Sequence, residues 1–342
     1  MAQKDLIYNK ERVSLWKAIP LDTPFVIEVE PISFCNVKCK YCLHSLSRKE
    51  ILESGHVFAT MSDELFELFL KQILEFPQKI KQVGFAGMGE PLLHKKLPYM
   101  IGRLKREAGI ERVTITTNGV ALTHELSRDL VNAGLDHMKI SVNGLSGEDF
   151  QRNCGVKIDF DQYLEQIAYL HQHRQTAVIA CKIMDSCVGD AQEEFYKVFH
   201  DICDVMSIEK TVRVFHEVSY DGIIEKGKNV LSRYDLRDTP VRVCASPFFR
   251  LAVKADGKVS TCRLYNGLTA PDFNIQKKSL VQIWNGEERR EMLLGVLNGS
   301  TDGLNANCFH CTLKDDFAFE SDILDDHVDE IYEKLVNDGE GV

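Results

Sequence analysis

Three cysteines, Cys35, Cys39 and Cys42, lie within eight residues and directly follow a short apolar segment. Cysteine thiolates are the usual ligands of iron–sulfur clusters, and four of them hold a complete 4Fe–4S cubane. Three cysteines with no fourth cysteine nearby would leave one iron of the cluster open to an external ligand, and an open iron suits chemistry on a bound cofactor. The alternative is a zinc site with His44 as the fourth ligand, although zinc sites seldom use this spacing. The spacing therefore favours a three-ligand 4Fe–4S cluster.

A second group of four cysteines lies near the other end of the chain, at Cys244, Cys262, Cys308 and Cys311. Four thiolates can hold either a structural zinc ion or a complete 4Fe–4S cluster, and the residue types alone do not separate the two. The stretch 248–262 alternates around an Asp-Gly pair, which predicts a β-hairpin with a type I′ turn. The sequence therefore predicts a second metal site built from a hairpin and a later loop.

From residue 25 onward, short apolar runs alternate with amphipathic stretches. The predicted strands are 25–30, 81–86, 112–116, 138–142, 177–184 and 206–215, and the predicted helices are 62–76, 97–107, 123–132, 160–173 and 193–203. Regular βα alternation predicts an α/β fold with a parallel sheet and helices outside it. Six units favour a partial (β/α)6 TIM-like barrel over a full eight-stranded barrel.

The same pass along the chain predicts where the parts begin and end. We expect an N-terminal extension over 1–23, a barrel over 24–216, a connector over 217–242, a cluster domain over 243–318, and a C-terminal helix and tail over 319–342. The second domain is expected to combine a hairpin with a helix over 280–297, and the last part a helix over 323–336.

Composition narrows the kind of partner. The net charge is −10 and no long basic run occurs, so a nucleic-acid partner is not expected. No apolar stretch is long enough to span a bilayer, and the N-terminus lacks the apolar core of a secretory signal. Many cysteines in a reducing compartment indicate metal binding rather than disulfides. We therefore expect a cytoplasmic protein that acts on a small molecule or a peptide.

The cysteine spacing and three further strand-end motifs resemble the radical S-adenosylmethionine (SAM) superfamily. Its cluster motif has an aromatic residue before the third cysteine, where this chain has Tyr41. The resemblance implies that SAM contacts the following residues: Tyr41, Gly87, Met88, Gly89, Glu90, Thr116, Asn118, Ser141, Asn143 and Arg152. Asn143 stands where the family usually has an aspartate. A reduced cluster would cleave SAM to a 5′-deoxyadenosyl radical, with flavodoxin or ferredoxin as the reductant.

The second cysteine group resembles the twitch domain, the short form of the SPASM domain. That resemblance implies that Cys244, Cys262, Cys308 and Cys311 bind one auxiliary 4Fe–4S cluster. Two 4Fe–4S clusters and SAM are thus the expected cofactors. A full SPASM domain would need three further cysteines after Cys311, and none follows.

Within the superfamily, the chain is similar to dehydrogenases that oxidise an aminocyclitol alcohol, in which the glutamate matching Glu28 contacts substrate. This implies oxidation of a sugar, cyclitol or nucleotide sugar, with the auxiliary cluster as electron acceptor. Leu264 replaces a substrate-binding glutamate of those enzymes, so a different substrate is expected. The alternatives are an epimerase that uses Cys154 or Cys187 as a hydrogen donor, a peptide-modifying maturase, and a non-catalytic zinc-stabilised binding protein.

Overall fold

A computed structural model describes residues 13–224, 232–234, 239–262, 267–299, 308, 311, 313–316 and 319–338. The strands are β1 Val26–Val29, β2 Gln82–Phe85, β3 Arg112–Thr117, β4 His137–Val142, β5 Val178–Met184, β6 Val205–Glu209, β7 Arg250–Val253 and β8 Val259–Ser260. The helices that precede β6 are α1 Leu15–Ala18, α2 Arg48–Glu53, α3 Asp63–Ile73, α4 Leu97–Arg103, α5 His124–Asn132, α6 Gly147–Cys154, α7 Phe160–His173, α8 Asp185–Val188 and α9 Gln192–Phe199. Those that follow are α10 Ser246–Phe249, α11 Leu280–Trp284, α12 Glu287–Asn298, α13 Leu313–Asp316 and α14 Val328–Asp338.

The eight strands form one sheet in the order β6-β5-β4-β3-β2-β1-β7-β8. Strands β1 to β6 pair in parallel with their sequence neighbours, which confirms the predicted partial barrel. Strand β7 pairs in parallel with β1, with Val26 opposite Arg250, and β8 returns antiparallel to β7. The hairpin that carries Cys262 therefore extends the barrel sheet beyond its first strand.

Alternation along the strands separates a helix-covered face from the barrel interior. On β4, Met138 and Ile140 are almost fully buried against the helices, whereas Ser141 lines the barrel cavity. Side-chain caps begin the covering helices: the Ser62 hydroxyl accepts a hydrogen bond from the Leu65 amide at the start of α3, and Thr123 and Asp159 cap α5 and α7 similarly. The apolar side chains are thus buried between the sheet and the helices that cover it, and polar side chains on the other face of the sheet line the barrel interior.

The hairpin turn differs from its prediction. A type I′ turn needs positive φ at both central residues, but at this turn only Gly257 has one, at +83°. The Gly257 amide bonds the Lys254 carbonyl at 2.9 Å, and the Lys254 amide bonds the Lys258 carbonyl at 2.8 Å. The connection is a three-residue loop with glycine at its left-handed position, because Asp256 keeps an ordinary φ.

Three predicted elements also have different bounds. The helix expected over 280–297 is two helices, because Asn285 and Gly286 end α11 and begin α12. The sixth strand ends at Glu209, and the chain then crosses the barrel mouth as a loop. The stretch between the predicted strand 138–142 and the predicted helix 160–173, where no element was predicted, contains helix α6, which ends at Cys154 and is closed by Gly155 at φ +68°.

The chain termini share a second, smaller apolar core. Leu15 and Ile19 of the N-terminal segment are buried with Leu293 of α12 and Leu335 of α14. The Trp284 indole donates to the Leu21 carbonyl at 2.6 Å, which fixes this segment to α11. In the part of the chain described, none of the helices combines the length and apolar character required to cross a bilayer.

Candidate active site

The three clustered cysteines follow β1 and line a cavity of about 260 Å³ at the carboxyl end of the barrel strands. Their loop is held from behind by the end of α6. The Lys38 amide donates to the Cys154 carbonyl at 2.8 Å, and the Lys40 amide to the Asn153 carbonyl at 2.9 Å. These main-chain bonds fix the loop without using the thiols, so all three sulfurs remain available as ligands.

The chemistry of these thiols fits an iron cluster. Burial raises the pKa of the Cys35 and Cys42 thiols to about 12. The contact with Cys154, together with burial, raises the pKa of Cys39 well above its ordinary value. Thiolates in such surroundings need a cation to compensate their charge, and coordinated iron supplies it. The loop can hold a three-ligand cluster that faces the cavity.

The segment Gly87–Glu90 after β2 packs tightly against the cluster loop. A Cβ atom on Gly89 would lie 2.7 Å from the Phe34 carbonyl oxygen and closer still to that of Ile32, so only glycine fits. The Glu90 amide bonds the Phe34 carbonyl at 2.8 Å. The Met88 amide donates to the Glu30 carboxylate at 2.6 Å. The segment and the loop that follows β1 therefore form one rigid unit.

The Glu90 carboxylate is buried, and burial raises its pKa. It accepts hydrogen bonds from the Thr117 hydroxyl at 2.6 Å, the Asn118 amide at 2.7 Å and the Leu92 amide at 3.0 Å. These partners account for both oxygens, so Glu90 joins the ends of β2 and β3. Its side chain organises the cavity wall by holding neighbouring main chain in place.

The ends of β3 and β4 complete the near wall of the cavity. Asn118 donates to the Asn36 side chain at 2.8 Å. The Tyr41 hydroxyl donates to the Asn143 side-chain oxygen at 2.6 Å. The residues of the near wall that line the cavity are Tyr41, Gly87, Met88, Gly89, Glu90, Thr116, Asn118, Ser141 and Asn143. Nine of the ten residues expected to contact SAM thus surround one space beside the cluster cysteines.

The far wall contains residues that the sequence reasoning missed, among them Lys182, Thr211 and Arg233. Lys182 donates to the Glu209 carboxylate at 2.6 Å, and their side chains are 12% and 2% exposed. Burial lowers the pKa of Lys182 to about 8. The pKa of Glu209 falls to about 2 because the attraction of nearby cations outweighs its burial. The sequence could have indicated Lys182, because it is a lysine within the otherwise apolar strand Val178–Met184 and the alternation of side chains along a strand turns it toward the barrel interior.

The second cysteine group is also brought together. The charges of Cys262, Cys308 and Cys311 all act on the Cys244 thiol, and burial is the main reason that its pKa is raised. Cys244 precedes α10, Cys262 follows β8, and the Cys311 amide bonds the Cys308 carbonyl at 3.4 Å. Four thiols from a hairpin and a later loop fit a complete cluster.

Residues 29–188 match the family described as the radical SAM superfamily, and residues 244–312 match an iron–sulfur cluster-binding domain, SPASM. The chain carries a radical SAM domain followed by a SPASM domain. Together the two domains imply SAM and two 4Fe–4S clusters as cofactors, as expected from the motifs.

Relatives and solved structures are consistent with this assignment. GTP 3′,8-cyclase of Chlorobaculum tepidum is 31% identical over 129 residues, 36% of this chain and 34% of that protein. The matches span only about a third to two fifths of the curated relatives' own length. Streptococcus suis SuiB bound to S-adenosylmethionine gives a TM-score of 0.62 at 16% identity, covering 88% of this chain and 74% of that one. Native anSMEcpe with bound AdoMet gives a TM-score of 0.57 at 17% identity, covering 92% of this chain and 97% of that one.

Four residues predicted to act in the radical SAM site do not line its cavity. Glu28 forms an ion pair with Arg250 of β7 at 2.8 Å. The Arg152 side chain is 67% exposed and pairs with Asp149. Cys154 is fully buried, with its sulfur 3.6 Å from that of Cys39. Cys187 lies on α8, where burial raises its pKa to about 11.

The zinc alternative required His44 to turn toward the cysteines of the radical SAM domain. Its Nε2 instead lies 2.8 Å from the Met88 carbonyl oxygen, and its ring meets His56 edge-on. In the described portion of the chain, no three His, Cys, Asp or Glu side chains come close enough to share a single ion, whereas the cysteines of a 4Fe–4S cluster stand farther apart because each binds a different iron. Leu264 lies outside the described residues.

Proposed function

We propose that this chain is a radical SAM dehydrogenase that oxidises a secondary alcohol of a small hydroxylated substrate. The observation that carries the proposal is the position of Lys182. It lines the same cavity as the cluster cysteines and the residues expected to bind SAM, with its ammonium group on the far wall. When bound, SAM and its cluster supply hydrogen-atom abstraction from carbon, and the auxiliary cluster supplies a one-electron acceptor.

Converting an alcohol to a ketone removes one hydrogen atom, one proton and one electron. The proton leaves the hydroxyl group, and Lys182 Nζ is the group proposed to accept it. A pKa of about 8 keeps a useful fraction of this amine neutral near physiological pH. Glu209, at 2.6 Å, then stabilises the ammonium ion that forms. The remaining residues of the far wall, such as Val212 and Phe215, restrict water at this position.

The same geometry supports oxidation over epimerisation. An epimerase needs a thiol that can reach the substrate carbon from the face opposite the SAM-derived radical. Cys154 is buried against Cys39, and Cys187 is close enough to Cys39 and Lys40 for their charges to influence its pKa. Neither thiol lines the cavity. The proposal therefore retains the auxiliary cluster as the group that takes the electron, and flavodoxin or ferredoxin as the external reductant.

The test uses protein reconstituted anaerobically with both clusters, SAM and a reductant, and a panel of sugars, cyclitols, nucleotide sugars and GTP. Dehydrogenation predicts 5′-deoxyadenosine formed in step with a product 2 Da lighter, with no solvent deuterium in that product. Lys182→Gln should still form 5′-deoxyadenosine but yield little ketone, and Lys105→Gln, which removes a cation paired with Asp136, serves as the control. A product of unchanged mass that carries solvent deuterium would favour epimerisation instead. Conversion of GTP to a cyclised product would favour the activity of the curated relatives.

A further inference from the structure

Three cationic side chains approach one carboxylate inside the barrel. Lys182 bonds Glu209 directly, and the positive charges of Lys139 and Arg233 act on both members of that pair. Lys139 and Lys182 lie on the neighbouring strands β4 and β5, and Arg233 enters from the segment that follows the barrel. Burial is the main reason that the pKa of Lys182 is lowered, and the positive charges of Arg233 and Lys139 lower it further.

Arg233 is held in place by a buried carboxylate. Its amide donates to Asp316 Oδ1 at 2.8 Å, and its guanidinium Nε lies 2.9 Å from Asp316 Oδ2. The Asp316 side chain has no exposed surface, and that of Arg233 is 15% exposed. The amide hydrogen bond fixes the main chain at Arg233, and the ion pair keeps its guanidinium group beside Asp316, although Nε and Oδ2 are not in hydrogen-bond geometry. Asp316 therefore holds Arg233 at the cavity through its main chain and through charge.

The cations and their carboxylates lie on different sides of the cavity wall. Lys182 and Arg233 line the cavity, whereas Glu209 and Asp316 do not. The surface next to them is apolar, with Ile183 and Val214 among its members. A bound ligand therefore meets the cations first, in surroundings where a charged hydrogen bond is stronger than in water. An oxyanion is the ligand group that matches a guanidinium ion presented in this way.

We propose that Arg233 binds an oxyanion of the substrate, a phosphate or carboxylate group, and that Asp316 positions Arg233 for this contact. The proposal rests on the proposed function, because it names the class of molecule that enters the same site. The substrate is then a hydroxylated compound that also carries a phosphate or carboxylate group. Asp316 lies five residues after Cys311, so the segment that supplies an auxiliary-cluster ligand also orients the substrate anchor.

The test measures binding to the anaerobically reconstituted enzyme by calorimetry, using inorganic phosphate and malonate as separate probes. SAM is present at saturation, so its own carboxylate site is filled. We expect saturable binding of at least one probe, and the stronger probe identifies the group. Arg233→Gln should weaken that binding at least about tenfold, Arg233→Lys should restore part of it, and Asp316→Asn should give an intermediate loss.

Arg174→Gln is the matched control, because Arg174 also forms an ion pair, with Asp204 at 2.7 Å, but does not line the cavity. The proposal is overturned if neither probe binds, if Arg233→Gln binds as tightly as the unmodified enzyme, or if SAM displaces the probe. Should Arg233→Gln fail to retain its iron, Arg233→Lys decides the outcome. Because no turnover is required, oxyanion binding without alcohol oxidation would remove the dehydrogenase proposal and leave this one intact.

Discussion

Replacing Gly89 by alanine should remove the SAM-binding cluster and leave the auxiliary cluster in place. The new Cβ would lie 2.7 Å from the Phe34 carbonyl oxygen and closer still to that of Ile32, whereas real Cβ atoms stay at least 3.0 Å away. Both obstacles are main chain, in the segment that leads directly into Cys35. Relief therefore requires that segment to move, which carries the first cluster ligand out of position.

The amount of iron lost in Gly89→Ala follows from the separation of the two cluster sites. Unmodified protein should hold about eight irons per chain and Gly89→Ala about four, since each 4Fe–4S cluster contributes four. Overpacking of this kind should also lower the free energy of unfolding by about 1–3 kcal/mol. Iron and sulfide analysis after anaerobic reconstitution, with electron paramagnetic resonance of the reduced protein, measures the loss, and urea titration measures the stability.

Gly189→Ala is the control for glycine replacement as such. Gly189 has φ +52° and ψ −127° and no atom near its would-be Cβ, so alanine there adds backbone strain of about 1–3 kcal/mol without a contact with another part of the chain. It should keep both clusters. Retention of about eight irons and of SAM binding by Gly89→Ala would refute the close-contact reasoning. Loss of both clusters would mean that the substitution unfolds the chain rather than displacing one loop.

Three further predictions concern the cavity and its support. Lys182→Met should abolish a rise in the free energy of unfolding between pH 8 and pH 10.5. The pKa of Lys182 is lowered to about 8 in the folded protein, so between these pH values the lysine is protonated in the unfolded chain and largely neutral in the folded one. The free energy of unfolding, measured by urea titration, should therefore rise by about 3 kcal/mol in the unmodified protein. An equal rise in Lys182→Met would contradict the lowered pKa of Lys182. Cys154→Ala should lower the midpoint potential of the SAM-binding cluster by roughly 40 mV, because it removes a thiol donor 3.6 Å from a ligand sulfur. In Cys154→Ser the midpoint potential should stay close to that of the unmodified protein. An unchanged potential in Cys154→Ala would show that the Cys154 thiol does not donate to Cys39. Tyr220→Phe should cost about 1–3 kcal/mol, since the hydroxyl accepts from the Val214 and Phe215 amides at 2.9 and 3.2 Å. Equal stability of this variant in urea would show that water replaces the hydroxyl.

Local patterns were sufficient for the partial barrel and for much of the site. The run 138–142 alternates apolar and polar residues, and the structure has strand His137–Val142 there with Ser141 directed inward. The cluster cysteines and the strand-end motifs could be assigned to one site because carboxyl ends of parallel strands meet at one edge. Lys182 was open to the same reasoning and was overlooked.

The structure added information where a local pattern was compatible with more than one arrangement. Asp256-Gly257 suits several hairpin turns, and the pairing of Lys254 with Lys258 selects the longer one. Substrate contact by Glu28 stays a prediction; the structure adds an ion pair with Arg250, which is 222 residues away in sequence and adjacent only because β7 pairs with β1. Cys154, predicted as a hydrogen donor, ends helix α6, and its buried sulfur lies 3.6 Å from that of Cys39.

The sequence by itself determined the chemistry that this protein can hold: a three-cysteine cluster motif, the strand-end motifs beside it and a second set of four cysteines. These are short-range features, and their spacing along the chain carries the information. Only the tertiary structure decided which residues line the cavity wall opposite these motifs, among them Arg233. Arg233 and Asp316 are 83 residues apart, and their contact depends on how the segments after the barrel fold back onto it. Long-range contacts of this kind leave no periodic trace in the sequence, because they follow from the packing of the whole chain.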